Sequence, residues 1–378
     1  DGDDVTYFVT TDYSVGAPVG EYTITATAGG KDLANYIAPA TVTSKLTVIP
    51  KTLTVTLADA TVEYGKDATL PEAKISGLYG TDNVTYTVTT DYKAGSPVGE
   101  YVITATASGS DLGNYTAQTT VTSKLTVTKK ALTITAPSQS VTYGTDVPTM
   151  EPVIGELVGK DKVTATVTTT YVKGAKVGTY TTSIGEVTGV ENYEVTKVDG
   201  KLTVTKATLT VKAEDKSVTY GDKAPIYTAT YSGFIAGDDA SKLSGTLAFD
   251  CTYKAGSAVN TYMITPKGLT SENYAITYQA GTLTVTAKAL TVTLADATVE
   301  YGKDATLPKA QITGLYGTDD VTYAVTTDYK AGSKVGEYTI TATAEGSALS
   351  NYNAPKTVTS KLTVTAKALT VTLADATV

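Results

Sequence analysis

Residues 53–71 read LTVTLADATVEYGKDATLP, and residues 290–308 repeat this stretch without a change. At its start, Leu and Val alternate with Thr, which places the apolar side chains on one face of a strand and Thr on the other. Tyr-Gly and Asp then provide turn residues. The stretch therefore predicts a short β-strand with one solvated face, followed by a turn, in a unit that the chain uses more than once.

Three markers repeat along the 378 residues with one common period. Steps between successive Tyr-Gly pairs are 79, 77 and 81 residues. The markers are Tyr-Gly at Tyr64, Tyr143, Tyr220 and Tyr301; Asn-Tyr at Asn35, Asn114, Asn192, Asn273 and Asn351; and a VGEY-like element ending at Tyr22, Tyr101, Tyr180, Tyr262 and Tyr338. A fixed period of this length indicates tandem structural modules.

The period predicts six segments. Module 1 (1–50) is a partial repeat, and modules 2 (51–128), 3 (129–205), 4 (206–286) and 5 (287–365) are complete. The C-terminal segment (366–378) begins a further module. Modules 2 and 5 differ at only 13 positions between 53–128 and 290–365, which indicates recent duplication for length or valency.

Within each module the spacing of apolar residues is two. Val84, Tyr86 and Val88 alternate with Thr, and so do Tyr101, Ile103 and Ala105 with Val102, Thr104 and Thr106. Six or seven short strands separated by turn residues predict an all-β fold, an elongated tandem array of small Ig-like β-sandwiches. A β-grasp module is the alternative. Residues 238–243 of module 4 predict an N-capped helical turn that module 2 lacks, so a long helix is not essential to the fold.

The junctions between modules keep one spacing although the modules vary in length. Each is flanked by two Leu residues seven positions apart: Leu46/Leu53, Leu125/Leu132, Leu202/Leu209, Leu283/Leu290 and Leu362/Leu369. The connecting residues contain no Gly, which is not typical of a flexible linker. An odd step along an extended strand reverses the side-chain face. We therefore expect neighbouring sheets to be fused into a stiff rod, with successive cores on opposite sides of the axis.

The two partial modules match different parts of a complete one. Residues 1–48 align with 80–127, and residues 367–378 align with 51–62. If the end of one chain completed the start of another, the equivalents of residues 63–79 would still be missing. The alignment therefore favours a longer repeat array over assembly by donated strands.

Composition excludes most chemistry. The chain has no His and no Arg, and it has a single Cys, so it lacks the residues for a Ser-His-Asp triad, an imidazole or thiolate metal site, or bidentate recognition of phosphate. Its net charge of −8 is expected to repel nucleic acid and anionic lipid. We predict no catalytic, cofactor-binding or metal-binding residues and no enzyme activity.

Several recurring residues have two interpretations. Acidic residues in one loop could bind Ca²⁺ or form turns, and the turn is favoured because no calcium-loop spacing is present. These residues are Asp3-Asp4, Asp82-Asn83, Asp161, Asp238-Asp239 and Asp319-Asp320. The recurring Tyr residues could stack on sugars, but half-buried strand residues whose hydroxyls bond a nearby loop are favoured.

Three further features are weaker. Cys251 is predicted to be a small buried residue, because it has the parity of Phe249 and Tyr253. Lys124 with Asn114, and Lys361 with Asn351, could form isopeptide links, but Thr282 replaces the Lys in module 4. Asn83 and Asn114 each begin a glycosylation sequon.

Module 4 carries the clearest family resemblance. Its elements SVTYGD (217–222), YSGFIAGDDASKLSG (231–245) and ENYAITYQAGTLTV (272–285) resemble the MBG domain of the YGX type. The resemblance extends with weaker loops to all complete modules, although Asn260 replaces the Gly of the VGEY element. Such domains occur as tandem repeats in large bacterial surface and adhesin-like proteins. The resemblance implies an extracellular protein, attached to the cell surface or cell wall, whose motifs are structural.

The functional prediction is a non-enzymatic stalk or spacer that projects a distal domain from the cell. One alternative is a multivalent adhesive array that binds a glycan or a protein of a host or neighbouring cell, and another is an extracellular fibre. The expected partners are neighbouring repeats of the same chain. No nucleic acid, direct membrane contact, cofactor or metal is expected.

Overall fold

The computed structural model describes residues 2–375 and shows an all-β chain. Residues 376–378, at the end of the predicted C-terminal segment, lie outside the described residues. The chain divides into two compact units. Unit 1 comprises Asp1–Gln139, Thr149–Tyr171 and Tyr180–Leu202, and unit 2 comprises Ser140–Pro148, Val172–Thr179 and Thr203–Val378.

Unit 1 begins with an antiparallel sheet of order β1-β2-β3 in module 1. In module 2, a four-stranded sheet β6-β11-β9-β8 lies with the short pairs β10-β4 and β5-β7. The strands are β1 (Thr6–Thr11), β2 (Gly20–Gly29), β3 (Thr41–Val48), β4 (Lys51–Thr52), β5 (Thr54–Thr56), β6 (Ala60–Glu63), β7 (Lys74–Ser76), β8 (Thr85–Thr90), β9 (Gly99–Ser108), β10 (Tyr115–Thr116) and β11 (Thr120–Thr128).

Module 3 contributes to both units. Its residues in unit 1 include a three-stranded sheet of order β14-β12-β17 and the antiparallel pair of β15 and β16. The strands of the module are β12 (Lys130–Thr135), β13 (Gln139–Thr142), β14 (Val153–Ile154), β15 (Thr164–Thr169), β16 (Gly178–Thr188), β17 (Tyr193–Val198) and β18 (Gly200–Thr205).

In unit 2, module 4 has two sheets of order β21-β19-β24 and β20-β25-β23-β22. Its strands are β19 (Ala207–Ala213), β20 (Lys216–Thr219), β21 (Ala229–Ser232), β22 (Ser244–Asp250), β23 (Thr261–Thr270), β24 (Tyr274–Gln279) and β25 (Gly281–Thr286). Module 5 repeats the plan of module 2, with the sheet β28-β33-β31-β30 and the pairs β26-β32 and β27-β29. Its strands are β26 (Lys288–Ala289), β27 (Thr291–Thr293), β28 (Ala297–Glu300), β29 (Gln311–Thr313), β30 (Thr322–Thr327), β31 (Gly336–Glu345), β32 (Tyr352–Asn353) and β33 (Thr357–Thr365).

The predicted alternation of side chains is confirmed. In β19, alternate residues from Ala207 to Ala213 are buried and the residues between them face outward. In β9, Ile103 and Ala105 are fully buried, whereas the neighbouring Val102 is exposed. Thr is β-branched yet polar, which makes it suitable for the solvated face of these narrow sheets.

Helical structure in the described residues is limited to four 3₁₀ turns. The turn at Ala240–Lys242 lies in the segment predicted to contain an N-capped helical turn, and the Asp239 side chain accepts a hydrogen bond from the Ser241 amide. The sequence did not predict the others, Leu33–Asn35, Leu112–Asn114 and Leu349–Asn351, which precede Tyr residues of the Asn-Tyr pairs. The β-grasp alternative, which requires a helix, is therefore not the fold.

The expectation that the junctions fuse neighbouring sheets is wrong. A single residue, Lys129, separates β11 from β12, but the two strands belong to different sheets, and the same holds at Lys206 and Ala287. The chain thus passes from the four-stranded sheet of one module to the other sheet of the next. Contacts other than a shared sheet must hold neighbouring modules together.

Candidate functional site at the joints between modules

Each pair of successive modules meets at a contact region that we call the joint. The joints contain the three sequence markers that set the repeat period: the Tyr-Gly pair, the Asn-Tyr pair and the VGEY-like element. At each joint an Asn side chain of one module accepts a hydrogen bond from a backbone amide of the preceding module. The four bonds are Val19 N–H to Asn114 (3.0 Å), Val98 to Asn192 (2.9 Å), Val177 to Asn273 (3.1 Å) and Val259 to Asn351 (2.9 Å). The donor always belongs to the VGEY-like element and the acceptor to the Asn-Tyr pair. We call this contact the latch.

The Tyr of each Asn-Tyr pair forms a small pocket toward the preceding module, together with the backbone amide and the Asp of the acidic loop. We call this pocket the cup. In module 3, the Tyr193 hydroxyl accepts from the Val158 amide at 2.8 Å and donates to the Asp161 carboxylate at 2.7 Å. Modules 2, 4 and 5 build the same cup from Tyr79, Asp82 and Tyr115; Ile235, Asp238 and Tyr274; and Tyr316, Asp319 and Tyr352. The recurring loop carboxylate is half-buried and therefore serves as a hydrogen-bond acceptor for tyrosine hydroxyls at the joint.

The Tyr-Gly pair of the preceding module, which we call the hook, enters this cup. Tyr64 donates to Asp161 at 2.9 Å and Tyr143 donates to Asp238 at 3.0 Å. The hook ring meets the cup ring edge to face, with centroid distances of 5.6 Å for Tyr64–Tyr193, 5.5 Å for Tyr143–Tyr274 and 5.3 Å for Tyr220–Tyr352. Edge-to-face aromatic pairs stabilise a contact beyond the area that they bury.

The hook needs glycine for two reasons. Gly65, Gly144 and Gly221 all have φ near +86°, at +86, +85 and +87. A Cβ on Gly144 would lie 2.5 Å from the Ile235 side chain, and one on Gly221 would lie 2.5 Å from the Tyr316 ring. Any other residue would be strained in this conformation and would push the next module away.

Two joint elements lack a partner in the described residues. Tyr301, the hook of module 5, is 43% exposed, whereas Tyr64, Tyr143 and Tyr220 are buried. Module 1 carries no Tyr-Gly pair, so the cup of module 2 holds no hook and opens into a cavity of about 220 Å³ lined by Tyr79, Asp82 and Tyr115. The latch from Val19 to Asn114 is nonetheless formed.

The remaining sequence candidates are placed as follows. Groups of acidic residues able to hold a metal ion are not found among residues 2–375. Lys124 and Lys361 form exposed ion pairs with Glu100 and Glu337, each at 3.0 Å, while the Asn residues form latches. Cys251 is a half-buried free thiol packed near Tyr227 and Phe249. The described part of the chain contains no helix long and apolar enough to cross a membrane.

Tyr residues outside the joints also follow the structural interpretation. The hydroxyls of Tyr92, Tyr253 and Tyr329 donate to the backbone carbonyls of Lys66, Asp222 and Lys303, each at 2.6 Å. Each bond ties the end of a strand to the turn that follows the hook. Sequence reasoning predicted such bonds but missed the meeting of hook, cup and latch, although the shared period of the three markers is a signal for it.

The buried tyrosines at the joints should make the protein less stable at alkaline pH. Burial, as the largest cause, raises the pKa of Tyr193, Tyr220 and Tyr274 to about 12, above the ordinary value of 10.0. Between pH 10 and 12 the unfolded chain releases these protons and the native chain keeps them, so the free energy of unfolding falls as pH rises. The melting temperature should be unaffected by these groups below pH 10 and should drop steeply above it.

The control for this prediction replaces the three Tyr residues by Phe. The triple variant should show a flatter dependence of melting temperature on pH between 10 and 12, because three phenols whose pKa is raised by burial have been removed. Ultraviolet absorbance of tyrosinate would follow the ionisation directly. An identical pH dependence in both proteins would contradict the prediction.

The fold and the joints define a class of protein, a tandem array of small β-sandwich modules held together by a repeated Tyr-Gly hook and Asn latch. The family model for the MBG domain (YGX type) matches residues 53–126, 132–203, 209–284 and 290–363. These ranges cover more than half of the chain, so the chain belongs to the MBG domain (YGX type) family. The predicted resemblance is therefore confirmed.

Comparison with solved structures finds distant similarities. They include Drosophila N-cadherin EC1-4 (TM-score 0.21, 12% identity, 82% of this chain and 99% of that chain) and the three N-terminal domains of the bacteriophage RB49 Hoc protein (0.20, 13%, 96% and 100%). The S-layer protein rSbsC(31-844) is a third (0.19, 14%, 92% and 60%). No curated protein sequence matches the chain.

Proposed function

We propose that this chain is a non-enzymatic stalk or spacer of an extracellular bacterial surface protein, and that it holds a distal domain away from the cell. The observation that carries the proposal is the repetition of one joint. The latch occurs at all four joints between modules 1 and 5, and a buried hook occurs at three of them. A repeated joint fixes each module on the next, which is what a spacer of defined length requires.

The chemistry of the side chains also supports a structural role. The recurrent Asp and Tyr residues satisfy one another inside the joints, so they are not free to act on a substrate. Buried polar groups that are fully paired rigidify a structure and specify one arrangement. Membership of the MBG domain (YGX type) family supports attachment of this protein to the cell surface or cell wall.

Small-angle scattering tests the spacer role. Strands of about nine residues at roughly 3.3 Å each make a module about 30 Å long, so a stiff array would reach roughly 140–160 Å and have a radius of gyration above about 40 Å. A compact globule of this length would have a radius of gyration of about 21 Å. We expect the larger value, with a distance distribution typical of a rod.

A hinge variant provides the comparison. Insertion of Gly-Ser-Gly-Ser between Lys129 and Lys130 lengthens and loosens the connection between modules 2 and 3. Asn192→Ala and Tyr64→Ala, made in the same protein, remove the latch and the hook of that joint. The distance distribution should broaden relative to the wild type. Scattering typical of freely jointed modules in the wild-type chain would contradict the spacer role. Saturable binding of a glycan or protein, with an affinity that rises with the number of modules, would support the adhesive array instead.

A further inference from the structure

The first and last segments of module 4 lie side by side over nearly their whole length. β19 pairs in parallel with β24, Ala207–Lys212 against Tyr274–Gln279, and β20 pairs in parallel with β25, Lys216–Thr219 against Leu283–Thr286. In both pairs the partners are 67 positions apart, so the two segments pass from one sheet to the other without a change of register. We call such a pair of parallel segments the clamp of a module.

The other complete modules have a clamp of the same kind. In module 2, β4 pairs in parallel with β10 and β6 with β11, and in module 5, β26 pairs in parallel with β32 and β28 with β33. In module 3, β12 pairs in parallel with β17, and β13 lies beside β18 in the other sheet. The clamp is therefore a property of the complete module.

The clamps differ in length. In module 4, six residues of β19 and four of β20 have partners in the last segment, whereas in modules 2 and 5 the two parts of the clamp have two and four. The intervening strands β5 and β27 of modules 2 and 5 pair with β7 and β29 instead. Module 3 resembles module 4, because its β12 alone has six partners in β17.

Burial shields the clamp of module 4 from water. The side chains of Leu209 in β19 and Leu283 in β25 are fully buried. The Tyr220 amide donates to the Thr286 carbonyl at 2.8 Å, and the Thr286 hydroxyl donates to the Val218 carbonyl at 3.1 Å. Buried hydrogen bonds of this kind are costly to break, because the separated groups find no water to replace their partners.

We propose that each complete module carries tension along the chain, and that its clamp is the part that resists. In a chain of tandem modules, a pulling force enters a module at its first segment and leaves it at its last. Since the two segments are parallel, the force pulls them in opposite directions along the strand axis. All the evenly spaced bonds between them are loaded together, whereas a hairpin pulled at its open end loses its bonds one at a time.

This inference goes beyond the spacer role, because a spacer requires only a fixed length and the clamp concerns the response to force. Scattering from the unloaded chain tests stiffness, and a force measurement tests the clamp. The failure of one proposal is therefore distinguishable from the failure of the other.

The difference in clamp length sorts the complete modules into two classes. Modules 3 and 4 should resist force better than modules 2 and 5, because more bonds share the load. Forced unfolding is governed by the rate of unfolding and not by equilibrium stability. The order in which modules yield to force should therefore follow the length of the clamp.

Single-molecule force spectroscopy tests the proposal on the whole chain, held at its two ends under constant force. The expected record contains one unfolding step for each complete module, and two of these four steps should be fast and two slow. The fast steps belong to modules 2 and 5, and the slow steps to modules 3 and 4.

A matched pair of variants in module 5 locates the resistance. Val299 lies in the clamp, opposite Val364, and Val325 lies in the hairpin strand β30; both are half-buried against the cluster that contains Ile340 and Leu362. Both Val299→Ala and Val325→Ala should lower the melting temperature by a similar amount. Val299→Ala should also speed one fast step about tenfold, the effect of two lost buried methyl groups, whereas Val325→Ala should leave all four steps at wild-type rates.

Three results would overturn the proposal. Equal acceleration of a step by Val299→Ala and Val325→Ala would show that the clamp has no special part in the resistance, and so would wild-type rates in Val299→Ala. Four steps with one common rate would show that the length of the clamp does not govern the response to force.

Discussion

Replacing Ile103 by Asp is expected to unfold module 2 and to leave module 5 folded. Ile103 is fully buried in β9, between β8 and β11, and it belongs to a cluster with Val62, Tyr92 and Leu125. An unpaired carboxylate at this position should lower the free energy of unfolding of the module by about 4 kcal/mol or more. Hydrogen exchange should show loss of amide protection in β8, β9 and β11.

The spread of this effect is itself a prediction. The cluster around Ile103 continues through Leu132, Ile134 and Tyr193 of module 3, so protection in module 3 should decrease as well. Module 5 has its own buried residues in unit 2 and should keep its protection. The control is Val102→Asp, one residue away on the solvent side of the same strand, where protection should change little. Loss of protection in every module at once would show that the chain unfolds as one cooperative unit and would contradict this prediction.

Replacing Tyr220 by Ala is expected to uncouple modules 4 and 5. Tyr220 is 3% exposed and packs edge to face against Tyr316 and Tyr352 of module 5, at 5.7 and 5.3 Å. Removing a buried aromatic ring costs about 3–5 kcal/mol, part of which is the cavity left behind. Calorimetry should show a lower melting temperature and a separate transition for module 5.

Two comparisons identify the origin of this effect. Tyr301 occupies the same position of module 5 but is exposed, so Tyr301→Ala should leave the melting temperature almost unchanged. Tyr220→Phe keeps the ring and removes only the hydroxyl beside Asp319, so it should cost less than the Ala variant. Equal losses in Tyr220→Ala and Tyr301→Ala would show that the hook does not couple the modules.

The sequence determined the modules and the strands within them. Alternation of Leu, Val and Tyr with Thr fixes which side of each strand is buried, because side chains of an extended chain point in opposite directions at successive residues. It therefore placed Ile103 and Ala105 inside and Val102 outside. The local capping chemistry of Asp239 is likewise readable, because the acceptor and the amide that it bonds are two residues apart.

The sequence did not determine how one module sits on the next. The seven-residue spacing of Leu125 and Leu132 suggested a continuous sheet, but spacing along a chain does not show which strands pair, and the two strands joined different sheets. The contacts at the joint involve residues far apart in sequence, such as Val98 with Asn192 and Tyr64 with Asp161.

The strands and buried residues of each module follow from the amino-acid sequence, because strand formation and burial depend on neighbours within a few residues. Only the tertiary structure decided the joint. Folding brings the Asn-Tyr pair and the acidic loop of module 3 together in space. They then form one contact site, in which Asn192 accepts the latch bond and Tyr193 and Asp161 contact the hook. Their roles depend on distances across folded modules, and a one-dimensional pattern records that they recur but not what they contact.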